Sequence, residues 1–145
     1  MKTANTTQRG AILLEAMISI LIFSLGILAV VGLQAGAIKL SSDAKYRSDA
    51  SLLANQIIGQ MWVSDRTQAT LQTDFQTGGA SYNLWVVDVA KALPGVSGIA
   101  LNQPTIAVAP NAGTTIPSST VTVTVYWQGP KDPARHQAIV IAQII

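Results

Sequence analysis

The sequence predicts an α+β fold in which one long N-terminal α-helix packs on a small antiparallel β-sheet. Two observations carry that expectation. The first 93 residues contain no proline, and they pass from an apolar run into an amphipathic one. The C-terminal third instead shows alternating short strands separated by glycine, proline and asparagine. A helix with one apolar stripe and a sheet with one apolar face must cover each other.

The chain opens on a polar stretch, residues 1–10, that carries Lys2 and Arg9 and ends in Gly10. Residues 11–33 follow as an apolar segment with a single acid, Glu15. As a helix these roughly 23 residues extend about 35 Å, enough to cross a bilayer. A carboxylate at the centre of such a segment costs roughly 2.5–3.5 kcal/mol to insert, so an acid within one is a functional expectation by default. Glu15 lies one turn from the segment's start, where reaching to the interface lowers that cost. The basic residues ahead of the segment predict a cytoplasmic N-terminus, with the residues after Leu33 on the far side.

Residues 34–66 continue the helix in amphipathic form. Tyr46, Ala50, Leu53, Ile57 and Met61 recur every three or four positions, while Ser42, Lys45, Ser48, Asp49, Gln56 and Gln60 take the opposite face. The whole helix is expected to run for roughly 50 residues, about 75 Å, and to end between Trp62 and Arg66. Gly26, Gly32 and Gly36 lie inside it. They suit close packing of helices in a membrane or local softening of the helix, and both readings stand.

Residues 67–145 form the predicted head. Residues 67–81, rich in Thr and Gln and containing Gly78-Gly79, read as a loop. Residues 83–93 are ambiguous: the valines favour a strand, but Trp85, Val89 and Leu93 share a helical face. Pro94-Gly95 ends the element either way, as a type II turn. Residues 96–101 and 105–109 are strand candidates, and 110–119 a turn-rich loop. Val121-Thr122-Val123-Thr124-Val125-Tyr126-Trp127 alternates strictly and is the clearest strand. A turn at 129–133 leads to a closing strand at 136–144, antiparallel to its predecessor.

Composition argues against catalysis. The chain has one histidine, His136, and no cysteine. His136 reads as a surface or strand-edge residue, and no metal-ligand spacing is present. Asp65, Asp74 and Asp88 are scattered, and Gly78-Gly79 lacks the lysine and helix start of a phosphate loop. A net charge of +2 offers no basic cluster for nucleic acid. Trp62, Trp85 and Trp127 are therefore expected to pack in the core or at a domain interface, not to stack on bases.

Gly10, followed by a hydrophobic stretch with Glu15 at the fifth position after it, resembles the class III signal of type IV pilins and pseudopilins. The resemblance implies that prepilin peptidase cleaves after Gly10 and methylates the new N-terminus, Ala11, which stands where phenylalanine or methionine is commoner. It implies that Glu15 is an assembly contact, pairing with the terminal amine of a neighbouring subunit. Trp85, the Leu93-Pro94-Gly95 ending and the run Leu25-Gly26-Ile27-Leu28-Ala29-Val30-Val31-Gly32-Leu33-Gln34 are similar to the PilV group of minor pilins. On that ground residues 83–93 are expected to form a short helix, and the fold to be type IV pilin-like. Many major pilins staple their C-terminal region with a disulfide; without cysteine this head must hold by packing.

The resemblance implies a structural, non-catalytic minor pilin that initiates, assembles or modifies type IV pili. Its division would be a leader at 1–10, a transmembrane and filament-core helix at 11–33, its amphipathic continuation at 34–66 and a periplasmic head at 67–145. Before assembly the chain would cross the inner membrane once; afterwards it would lie in the pilus. Prepilin peptidase, other minor and major pilins and inner-membrane lipid are the implied partners, with no cofactor or metal and no nucleic acid expected. A minor pseudopilin of a type II secretion system is an alternative. So is a tip-located subunit binding a surface, a sugar or DNA through loops 67–81 and 110–119. Two plainer readings fit less well. Ala35-Gly36-Ala37 has the small-x-small form of a signal-peptidase site, but the apolar run is longer than the usual 7–15 residues of a secretory signal. A generic single-pass anchor leaves Glu15 with no role beyond reaching the interface.

Overall fold

The computed structural model describes residues 9–97, 99–111, 118–130 and 132–145. Helix α1 spans Arg9–Val63 without interruption. A single turn, α2 (Gln68–Thr70), passes into a π-helical turn at Leu71–Phe75, and α3 covers Ala80–Ala92. After a 3-10 turn at Ala100–Asn102 come β1 (Thr105–Pro110), β2 (Ser119–Trp127) and β3 (His136–Ile144). The three strands form one antiparallel sheet in the order β1-β2-β3. The α+β expectation, with a long N-terminal helix on a small antiparallel sheet, is met.

The chain divides into two compact units, one up to Ser42 and one from Asp43 to Ile145. In the first, residues 10–41 are all exposed. Two serine hydroxyls are satisfied within the helix: Ser19 Oγ donates to the Glu15 carbonyl at 2.8 Å, and Ser24 Oγ to the Ile20 carbonyl at 2.7 Å. Hydroxyls turned back on the helix in this way leave no polar demand on an apolar surrounding. A Cβ added at Gly26, Gly32 or Gly36 would touch nothing, so within one chain these glycines have no packing role.

In the second unit the apolar stripe of α1 does what its spacing predicts. Ala50, Leu53, Ala54, Ile57, Ile58 and Met61 are buried, with Tyr46 packed at their edge. They join the inward face of β2, where Val121, Val123, Val125 and Trp127 are buried, and Ile106 and Val108 of β1. The β2–β3 register pairs Val121 with Ala142, Val123 with Val140 and Val125 with Ala138, so the inner faces of the two strands align.

Residues 83–92 are helical, with Leu93 as the extended C-cap, so the short helix expected over 83–93 is present, and tertiary packing explains why local preference lost. Tyr82, Trp85 and Val89 fall at i, i+3 and i+7 and are all buried, while Val87 stays exposed. Trp85 Nε1–H donates to the Leu53 carbonyl at 3.0 Å, and the Tyr82 hydroxyl donates to the Pro104 carbonyl at 2.6 Å. One face of α3 is thus tied to α1 and to the entrance of β1. Burial raises the Tyr82 phenol above its ordinary pKa.

Two expectations are corrected. Residues 67–81 are not a plain loop. Leu71 and Phe75 are buried and draw the segment into helical turns against the core. Thr67 caps the first turn, its Oγ1 accepting from the Thr70 N–H at 3.4 Å, and Asp65 braces it, accepting from the Thr67 N–H at 3.1 Å and the Thr70 hydroxyl at 2.9 Å. The Thr67 N–H, then the Thr70 hydroxyl, hold its carboxyl below the usual range. Residues 96, 97 and 99–101, expected as a strand, are likewise not one. The buried Asn102 side chain donates from Nδ2 to the Gly95 carbonyl at 2.8 Å, and its N–H closes a turn on the Ile99 carbonyl at 2.9 Å. Those bonds fold the chain back before it can extend. The loop expected at 110–119 lies mostly outside the described residues, as does Lys131 in the turn at 129–133.

The Pro94-Gly95 turn is observed, with Gly95 at φ +74°. A Cβ there would meet the Gln128 carbonyl oxygen at 2.8 Å, while Gln128 N–H donates to the Pro94 carbonyl at 3.0 Å. Gly95→Ala combines a left-handed backbone with a clash against backbone. It is expected to destabilise the head by about 1–3 kcal/mol, read as a lowered urea midpoint with an unchanged slope.

Candidate functional site

The candidate site is the start of α1, where Gly10, Ala11 and Glu15 were singled out from the sequence. All three are helical and exposed. Ala11 and Glu15 stand four residues apart, hence on one face and about 6 Å apart along the axis. The Glu15 carboxylate has no hydrogen bond or ion pair among the described residues; only its backbone carbonyl is engaged, by Ser19. Residues 1–8, most of the expected leader, lie outside the described residues. Around Glu15 are Ile12, Leu14, Ile18 and other exposed apolar side chains. The arrangement presents one negative charge on an otherwise apolar rod, close to the positive end of a helix dipole. Among the described residues, α1 is the one helix long and apolar enough to cross a membrane by length and composition.

The other residues considered from sequence do not converge on this point. His136 begins β3, 40% exposed at its side chain, which agrees with a strand-edge position. Its partners were not anticipated: Nε2 lies 2.8 Å from Asp132 Oδ2, and the ring stacks on Trp127 with centroids 5.8 Å apart. The spacing Asp132-Pro133-Ala134-Arg135-His136 was the available signal, a turn residue four positions before the histidine. Arg135 continues the same cluster, its guanidinium lying over the Tyr126 ring at 4.3 Å and donating to the Leu101 carbonyl. These contacts fasten the β2–β3 connection to the sheet. Asp88 forms a solvent-exposed pair with Lys91 at 3.5 Å. Among the described residues no group of three or more His, Asp or Glu is placed to hold a metal.

Compared with protein-family models, with curated proteins and with solved structures, the chain matches none.

The tryptophans separate into two kinds. Trp85 and Trp127 are each 3% exposed and belong to the core. Trp62, expected in the core or at a domain interface, is instead exposed, because it falls one position beyond Met61 on the far side of the buried stripe. With two of the three rings buried, they form no stacking surface. The two loops considered as contact regions do approach each other: Arg66, Thr67 and Gln68 line an open cleft together with Pro110, Asn111, Ser118 and Ser119. Asn111 Nδ2 donates to Ser118 Oγ, and Thr120 Oγ1 to Asn111 Oδ1, so the Asn111 amide is already engaged within its own loop ends.

Proposed function

We propose that the chain is a structural subunit of a type IV pilus, a minor pilin of the PilV kind, held in the inner membrane by α1 before assembly with its head in the periplasm. The observation that carries this reading is the unpartnered Glu15 carboxylate on an apolar, fully exposed helix, one turn from Ala11. An acid on an apolar helix with no partner among the described residues, once that helix is enclosed by lipid or by other subunits, calls for one in a neighbour. Cleavage after Gly10 would create such a partner, the amine of Ala11, in every copy. In low dielectric the pair fixes axial register more than it adds net stability. The remaining apolar side chains of residues 11–33 would pass from lipid to protein neighbours at little free-energy change, since both environments are apolar. Nothing in this reading calls for catalysis by the chain itself; prepilin peptidase, other minor pilins and the major pilin are its partners.

Mass spectrometry of the mature N-terminus tests it. The expected product begins at a methylated Ala11. A chain beginning at Ile38, just after Ala37, would establish a secretory signal instead, and an intact N-terminus would leave α1 as a plain anchor.

A further inference from the structure

We propose that β3 is a self-recognition edge, through which two copies of this chain pair antiparallel about a two-fold axis at Val140. β3 is an outer strand of the sheet, paired with β2 alone among the described residues. Such an edge offers a row of unpaired N–H and C=O groups, and proteins ordinarily blunt it with lysine, proline or a bulge. β3 has none of these. His136–Ile144 contains no proline, lysine, arginine or acid, and it pairs residue for residue with β2 without a bulge. His136, at its first position, is already held by Asp132.

The order of the residues points to a second copy as the occupant. Gln137-Ala138-Ile139-Val140-Ile141-Ala142-Gln143 reads the same in both directions. Antiparallel pairing centred on Val140 therefore sets each side chain opposite its own kind: Val140 on Val140, Ile139 on Ile141, Ala138 on Ala142 and Gln137 on Gln143. An isologous interface needs a self-complementary patch, and a palindromic strand is one by construction. Opposed residues have the same parity, so the pleat continues across the junction. Ile139 and Ile141, 53% and 66% exposed, would meet their counterparts as a four-isoleucine patch on the outer face. On the inner face Ala138, Val140 and Ala142 are half-buried, and a fourth strand would cover them.

Charge and area agree with that occupant. The paired strands set no like charges opposite one another. Nine residues give a ladder about 30 Å long, which belongs with the small, exchanging interfaces below about 1,200 Å². The pairing uses only the head and does not rest on the pilus reading. Because the two-fold axis sets the two copies of the packed part of α1 in opposite directions, it belongs to chains not held side by side in one membrane or filament.

Cysteine cross-linking tests it, since the chain contains no thiol of its own. The full chain is used in detergent micelles, which impose no common orientation on the two apolar segments. Val140→Cys places two thiols on the axis and is expected to form a disulfide dimer on mild oxidation. Ile139→Cys mixed with Ile141→Cys is expected to give at least about tenfold more dimer than either alone. Directly opposed residues meet at about 5 Å, whereas diagonal ones lie about 7–8 Å apart, beyond easy bridging. Adding Ile141→Lys, at an exposed site that leaves circular dichroism unchanged, is expected to lower the Val140→Cys dimer at least about tenfold. Equal cross-linking in all combinations, or a dimer indifferent to Ile141→Lys, would overturn the pairing.

Discussion

Replacing Glu15 with valine is expected to leave membrane insertion intact and to remove the chain from assembled pili. Insertion improves because a carboxylate leaves an apolar segment, a gain of up to about 3 kcal/mol that shrinks near the interface. On the proposed pairing, assembly would fail because the neighbour's amine would be left buried without its counter-charge. Breaking a buried pair by removing one partner costs about 3–5 kcal/mol, or at least about a hundredfold in the assembly equilibrium. Membrane fractionation beside immunoblotting of sheared pili separates the two effects. Glu15→Gln should behave like the valine variant, because the charge and not the size of the side chain is what the amine requires. Normal incorporation of Glu15→Val would remove the assembly role.

The second large effect belongs to Trp85. Its ring is buried between α3 and the stripe of α1, and its N–H is spent on the Leu53 carbonyl. Trp85→Ala is expected to cost about 3–5 kcal/mol, a large share of the roughly 5–15 kcal/mol that keeps a small domain folded. At about 4–8 °C per kcal/mol for a unit of this size, the melting temperature should fall by at least about 12 °C. Trp62→Ala serves as the comparison, since that ring is 42% exposed and its loss should shift melting by only a few degrees. Equal effects at the two positions would contradict the placement of α3 against α1. With no disulfide to constrain the unfolded chain, the head depends on contacts of this kind.

These two variants mark different ways in which the chain could be read. Glu15 stands out in the sequence because its signal is local, one charge in an apolar run at a fixed distance from Gly10, and its assembly role is a proposal. The buried stripe of α1 was legible for the same reason, since helical periodicity reports the buried face directly. So was β2, where strict alternation matched the buried Val121, Val123, Val125 and Trp127, although Thr124 on the other face is buried too. Trp85 and Trp62 are the same residue type, and nothing local separates a core ring from an exposed one. The difference lies in which neighbour each helix face meets.

A membrane-length apolar run, the absence of proline and side-chain periodicity thus determined the long helix, its change from apolar to amphipathic character and the two strands that follow Pro117. Tertiary structure decided the segments whose local preferences were weak or divided. Residues 83–92 became a helix because Tyr82, Trp85 and Val89 could all be buried on one face. Residues 99–101 turned back because the Asn102 amide found the Gly95 carbonyl, and 67–81 coiled because Leu71 and Phe75 reached the core. In each case a partner far along the chain, or a single buried hydrogen bond, outweighed differences in local propensity of well under 1 kcal/mol per residue.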